Sequence, residues 1–234
     1  MTSSNSAVAD SPADDVSFAA TLRAATASAH SSAENGGAIA TLISGSGDLA
    51  LYTALQGQLS FVYQQLEAVA EAMRQDPIAG RFVFAELNRS AALQADLDVL
   101  LGAGWRETVT PLPETTAYVE RLRDVASLSS AAFVAHHYTR YLGDLSGGFA
   151  VDKSVQRHLG LTSADGRRFF VFDQIPQPTL FKQRYRRLLD EAAWSDAERG
   201  LVISETMVAY RLNTALQVAV SRAAGRDAAE QGAR

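Results

Sequence analysis

The stretch Tyr138–Gly148 reads Tyr-Thr-Arg-Tyr-Leu-Gly-Asp-Leu-Ser-Gly-Gly and lies inside Ser129–Leu159, whose apolar spacing predicts one long helix. It places Gly143, Gly147 and Gly148 in a helix interior, where each glycine costs about 0.5–1 kcal/mol relative to alanine. Such a cost is expected where the helix backbone approaches another group closely. That group is a flat, bulky ligand or a second helix that crosses through small residues, and the glycines alone favour neither.

A polar pair accompanies these glycines. Arg140 and Asp144 are four residues apart, so they lie near one surface of the predicted helix. A guanidinium and a carboxylate beside an apolar cleft can organise water, which favours the ligand over the helix crossing.

The rest of the chain predicts an all-α fold of about seven or eight helices, because apolar residues recur at helical spacing almost throughout. Asp48 is a predicted N-cap and Ser195 with Glu198 a predicted capping box. The aromatic run Phe169–Phe172 is the one strand-like piece. The predicted helices are Ser17–Glu34, Asp48–Gln75, Arg81–Leu101, Pro113–Ala126, Ser129–Leu159, Thr179–Glu191 and Asp196–Arg222.

Length and composition indicate one helical domain over residues 17–222 of the 234-residue chain, with a disordered leader at 1–16 and a flexible tail at 223–234. The net charge of -5 indicates that nucleic acid is not a partner. The sequence contains no apolar run long enough to predict a membrane anchor. The sequence contains no cysteine, which excludes disulfides, zinc–thiolate sites and cysteine nucleophiles. The expected compartment is the cytoplasm.

His30 and Glu34 are four residues apart on the first predicted helix. A carboxylate at that spacing can accept the Nδ1 proton of the imidazole and leave Nε2 to bind a metal. The alternative is an exposed pair of little energetic value. A ferritin-like di-iron site is excluded, because no histidine follows a glutamate by three residues.

Three cationic residues could bind an acidic ligand. Lys182 and Arg186 share a helix face and could pair with carboxylates, although without other evidence a solvated basic face is the more frequent explanation of such a pair. Arg23 lies seven residues before His30, about two turns along the same face. Tyr63 and Tyr138 could be functional or could be ordinary core tyrosines, and the residues around them in the sequence do not favour a functional role.

Together these segments resemble the heme oxygenase family, and its soluble microbial type in particular. The segment Tyr138–Gly148, preceded by His136, matches that family's signature. Leu22–Thr26 and His30–Asn35 resemble its proximal-helix motif, and Phe181–Arg186 is similar to a later one. The resemblance runs from about Phe18 to Ala219.

The resemblance implies a fold in which heme lies between a proximal and a distal helix. His30 would ligate the iron, with Glu34 as its hydrogen-bonding partner. The distal helix would approach the iron through Gly143 and Gly147, and Asp144 would hold water that delivers protons to bound dioxygen.

Further roles follow from the same resemblance. Arg140 and Tyr63 would support the water network of the distal helix. Phe170 and Tyr210 would line the pocket. The heme propionates would be held by Arg23, Tyr138, Lys182 and Arg186.

The implied reaction is oxidative cleavage of heme to biliverdin, carbon monoxide and ferrous iron. Heme is both substrate and cofactor, dioxygen is the co-substrate, and electrons come from a ferredoxin or a flavoprotein reductase. The implied role is release of iron from heme. The sequence leaves the oligomeric state open, and a monomer is the default expectation. The chain departs from the family at Arg23, where lysine is frequent, at His137, where alanine is usual, and at Phe149, where glutamine is common.

Three other functions are less consistent with the sequence. A non-catalytic heme carrier or sensor would need His30 but not Asp144 beside a glycine-lined wall. A thiaminase-like hydrolase would need a cysteine nucleophile, which the chain lacks. A helical interaction module would have no use for three mid-helix glycines.

Overall fold

Nine α-helices account for most of the structure, a computed structural model that describes residues 17–34 and 36–232. The predicted leader at 1–16 lies outside the described residues. No strand occurs within the described ranges, in agreement with the all-α prediction. The helices are α1 Phe18–Glu34, α2 Gly37–Ile43, α3 Leu49–Ala72, α4 Ser90–Leu101, α5 Trp105–Thr108, α6 Pro113–Leu128, α7 Ser130–His158, α8 Pro178–Glu191 and α9 Asp196–Gly232.

Local signals in the sequence set several of these boundaries. The carboxylate of Asp48 accepts the Leu51 N–H at 2.8 Å and starts α3 as predicted. At the start of α9, Glu198 Oε2 accepts the Ser195 N–H at 2.8 Å, which completes the predicted capping box. The helix α9 ends at Gly232 rather than at Arg222, and its alanine-rich last turns favour that continuation.

Three predictions of local structure were wrong. The short helices α2 and α5 were not predicted, because Gly36, Gly37 and Gly45 at the ends of α2, and Gly102 and Gly104 before α5, favour loops. The helix α4 begins at Ser90 rather than at Arg81, since Glu67 Oε1 accepts the Ser90 N–H at 2.9 Å and sets the start. The strand-like run at Phe169–Phe172 instead contains a 3-10 turn, Arg168–Phe170.

The long helices α7 and α9 form the centre of the fold. They pack on each other, while α1 and α2 also pack on α9 and α6 packs on both α3 and α7. Residues Ala131–Tyr141 of α7 are buried almost without exception, so this helix is a core element as well as a site element. Among the described residues, no helix is long and apolar enough to cross a membrane.

Candidate active site

A cavity of about 540 Å³ opens between α1 and α7, with α8 and α9 contributing to its walls. This volume lies in the range of about 300–1,000 Å³ usual for small-molecule and cofactor sites. Phe170 and Tyr210 line it, as predicted. The predicted site residues that also line it are Arg23, His30, Tyr138, Arg140, Gly143, Asp144, Gly147, Lys182 and Arg186.

The α1 wall carries His30, which is exposed at the end of the helix. Its imidazole meets the ring of Tyr210 from α9 edge to face, with 5.7 Å between ring centroids. Arg23 lines the same cavity, as its spacing of two turns from His30 predicts. The side chain of Glu34 lies outside the described part of the structure, so its predicted bond to His30 stays a prediction.

The α7 wall is partly bare backbone. A Cβ atom added to Gly143 or to Gly147 would meet nothing within 4 Å, and both residues border the cavity. A Cβ on Gly148 would instead lie 3.3 Å from the Phe170 ring. Two of the three glycines therefore open space in the cavity, and the third allows close packing against the 3-10 turn.

Beside these glycines lies a buried polar cluster. Tyr63, on α3, is fully buried and donates its hydroxyl hydrogen to Asp144 Oδ2. Arg140 Nη2 lies 2.9 Å from Tyr63 Oη and 3.5 Å from Asp144 Oδ1. Arg140 Nη1 donates to Asn213 Oδ1 of α9, a partner for which sequence reasoning had assigned no role. Tyr63 supports the site from behind and does not itself line the cavity.

Burial and the neighbouring charges shift the pKa values of all three titratable residues of this cluster. Burial raises the pKa of Asp144 above its ordinary value, although Arg140 and the Tyr63 hydroxyl oppose the shift. Burial raises the pKa of Tyr63 well above its usual range. Burial alone would lower the pKa of Arg140, but Tyr63 and Asp144 reverse this, so the guanidinium keeps its charge.

Cationic groups gather at another part of the cavity. Lys182 Nζ donates to Ser146 Oγ of α7 at 3.1 Å, which brings α8 and α7 together there. Burial raises the pKa of the Tyr138 hydroxyl, while Arg186 and Arg23 both lower it, so these three residues are close enough to interact. Burial and the nearby Arg186 lower the pKa of Lys182.

Comparisons with known proteins identify relatives of the whole chain. The heme oxygenase family model matches residues 16–218. A heme oxygenase of Rhodella violacea is 35% identical over 85% of both chains, and heme oxygenase 1 of Nostoc is 35% identical over 82% of this chain and 81% of its own.

Solved structures show the same likeness. Heme oxygenase-1 of Synechocystis, in complex with heme, superposes with a TM-score of 0.85 at 32% identity, over 92% of this chain and 97% of its own. The heme oxygenase of Leptospira interrogans has a TM-score of 0.82 at 31% identity, over 86% of this chain and 98% of its own. This chain therefore belongs to the heme oxygenase family.

Proposed function

We propose that this protein binds heme in the α1–α7 cavity and cleaves it, with dioxygen and external electrons, to biliverdin, carbon monoxide and ferrous iron. The observation that carries the proposal is one cavity lined by an exposed histidine on α1 and by Gly143, Gly147 and Asp144 on α7. The function that best suits this arrangement is release of iron from heme.

The residues present fit a heme. The missing side chains of Gly143 and Gly147 leave room for a flat ring against the α7 backbone. His30 is a neutral-nitrogen ligand of the kind that heme iron takes from one side. Arg23 and Arg186 supply positive charge for two propionates.

When bound, heme supplies the iron that activates dioxygen and the porphyrin carbon that is oxidised. His30 would hold the iron, and the edge of the Tyr210 ring would limit rotation of the imidazole. At Gly143 the backbone leaves space in which a small diatomic molecule fits and a larger side chain would intrude.

Asp144 would hold and move the protons that the reaction consumes. Its side chain borders the cavity with 11% of its surface exposed, so the carboxyl can bond to a water molecule on that side. From behind, Tyr63 and Arg140 fix its orientation. Because its pKa is raised by burial, the carboxyl exchanges protons at a pH closer to neutrality than an exposed aspartate does.

The heme propionates would be bound by Lys182, Arg186, Arg23 and Tyr138. These contacts would fix the rotational orientation of the heme in the cavity. We further propose that electrons come from a separate ferredoxin or flavoprotein reductase, and that the enzyme acts as a monomer in the cytoplasm. Every step that reduces heme or dioxygen needs an electron, and the chain has no cysteine that could hold an iron–sulfur centre of its own.

An absorption time course tests the function. One equivalent of hemin is added to the purified protein, followed by a reductant in air with catalase present. We expect the Soret band to decay as biliverdin absorption grows. A stable Soret band would contradict the enzyme and favour a heme carrier or sensor, and absence of a complex would overturn heme binding altogether.

The variant His30→Ala tests the ligand in the same experiment. It should keep its helical circular dichroism and lose biliverdin formation. His158→Ala, at the exposed end of α7, is the matched control and should turn over as the parent does. Full biliverdin production by His30→Ala would remove His30 from its role.

A further inference from the structure

The segment Gly166–Phe172 reaches the cavity through one side chain and belongs to no α-helix. Phe170 lines the cavity and packs against Gly148 of α7. Phe169 lies behind it, with its ring edge to face against the Tyr63 ring at 5.1 Å between centroids. Tyr63 donates a hydrogen bond to Asp144. The segment therefore contacts the cavity through Phe170 and the hydrogen-bonding partner of Asp144 through Phe169.

Asp96 holds the backbone at the middle of this segment. It lies on α4 and is fully buried. Its Oδ1 accepts the N–H of Arg168 at 2.8 Å, and its Oδ2 accepts the N–H of Phe169 at 2.8 Å. One carboxylate therefore satisfies two consecutive backbone donors next to both aromatic rings, in charge-assisted bonds of the stronger kind.

Other polar contacts hold the two ends of the same segment. Tyr52 Oη, on α3, donates to the Gly166 carbonyl at 2.8 Å. Arg89 Nη1 donates to the Val171 carbonyl at 2.8 Å, and its guanidinium lies 4.1 Å from the centroid of the Phe172 ring. A stretch without α-helical or strand bonds thus depends for its position on side chains from α3, from α4 and from Arg89, the residue before α4.

Asp96 does not touch the cavity, so any effect on the reaction must pass through Phe169 and Phe170. A buried carboxylate is costly, because it must be taken out of water. A site that needs only an apolar wall could be closed by a longer helix. The cost of burying the Asp96 carboxylate is better explained if the reaction depends on the exact position of the Phe170 wall.

We propose that Asp96 is a positioning residue for ring opening: by fixing the backbone of Arg168 and Phe169 it sets the Phe170 wall and the Tyr63–Asp144 contact, and so determines which porphyrin carbon is oxidised. This inference rests on the proposed function and deepens it. It assigns the choice of carbon partly to a residue of α4, remote from the cavity.

The test compares Asp96→Asn with Asp98→Asn. The amide at position 96 keeps one acceptor and turns a donor towards a backbone N–H, which breaks one bond with almost no change in shape. Asp98 lies on the same helix with 47% of its side chain exposed, so the identical substitution there is the matched control.

Three measurements are expected to move in Asp96→Asn and not in Asp98→Asn. Amide exchange at Arg168 and Phe169 in the full chain without hemin should accelerate about tenfold, the effect of one lost charge-assisted hydrogen bond. Hemin binding, titrated by absorption, should weaken. The minor fraction among the biliverdin isomers, separated by chromatography, should rise about fivefold, as a free-energy change of one ordinary hydrogen bond allows.

Unchanged exchange at these two amides would overturn the proposal. So would faster exchange with parent-like hemin affinity and isomer ratio, because Asp96 would then be only structural. If Asp96→Asn does not fold, Tyr52→Phe decides: it removes the bond that Tyr52 Oη donates to Gly166 and the one that it accepts from Gln56 Nε2 at 2.6 Å, and it should shift the isomers in the same direction by less. No shift would count against the proposal.

These readouts separate this proposal from the function on which it rests. Exchange and hemin titration need no turnover. If the parent made no biliverdin, the proposed reaction would be overturned, while faster exchange and weaker hemin binding in Asp96→Asn alone would still support Asp96 as the residue that positions the wall.

Discussion

The two walls of the cavity are built differently. On α7, Arg140 is only 5% exposed and Tyr63 behind it is fully buried, and both bond to Asp144. On α1, His30 and Arg23 are exposed. The α7 wall is thus held by packing and hydrogen bonds from α3 and α9, whereas the α1 wall presents side chains largely to solvent.

This difference matches two requirements of the proposed reaction. In the proposed reaction protonation requires a donor in a fixed place, so a largely buried acid held by Tyr63 and Arg140 suits the α7 wall. Binding requires side chains that can approach a large ligand, which suits exposed groups on α1 and α8. We therefore expect substitutions on α7 to act on the chemical step, and substitutions of the cationic groups to act on affinity.

The largest effect is expected for Asp144→Asn. An amide keeps the shape but cannot take up and release a proton, so ring opening should slow by at least about 100-fold. Hemin affinity, measured by absorption titration, should stay near that of the parent. Asp124→Asn, an exposed aspartate of α6, is the control. Ring opening at the parent rate in Asp144→Asn would show that the α7 wall does not hold the proton donor.

The second largest effect that we expect is a loss of protein stability in acid, and it comes from His137 on the buried side of α7. Burial lowers the pKa of His137 to about 3, and its Nδ1 lies 2.9 Å from Tyr185 Oη. Because the unfolded chain takes up the proton first, the free energy of unfolding falls as the pH drops from about 6.5 towards 3.

His137→Gln removes this contribution. Between pH 7.5 and pH 5 the parent should lose about 2 kcal/mol more stability than the variant, as read from urea denaturation at both pH values. Tyr185→Phe keeps the histidine and should keep the pH dependence. Equal slopes for His137→Gln and the parent would contradict a neutral, buried His137.

Gly143→Ala should separate stability from function on the α7 wall. The added Cβ meets no atom within 4 Å, so the helix should gain about 0.5–1 kcal/mol in free energy of unfolding. The same methyl intrudes on the cavity, and ring opening should slow. Gly200→Ala on α9, which also meets nothing within 4 Å, is matched for helix propensity and should gain stability alone. If Gly143→Ala is more stable than the parent and equally active, the prediction is contradicted, and the glycines of α7 serve helix packing rather than the reaction.

The smallest effect is expected for Arg186→Gln on α8. The side chain is only partly buried, and such charge pairs contribute about 0.2–1 kcal/mol, so hemin affinity should weaken by a few-fold at most. The rate at saturating hemin should not change. Arg184→Gln, exposed on the same helix, is the control. A large loss of rate with normal affinity would place Arg186 in the chemistry instead.

Much of the site could be predicted from short-range patterns. The spacing of Arg23 and His30 predicted a shared face, and both line the cavity. The glycines of α7 predicted a close approach to a ligand, and two of them do border open space. Glycine signals also misled, because those around α2 and α5 indicated loops where short helices form.

What the sequence determined by itself is local: the all-α pattern, the helix caps, the glycines and the family signature. These depend on propensity and spacing within a few turns. Only the tertiary structure decided that Tyr63 meets Asp144 across 81 positions, and that Asp96 caps the Phe169 turn across 73. Such contacts depend on how whole helices pack, and a buried polar group takes whichever partner that packing brings within hydrogen-bonding distance.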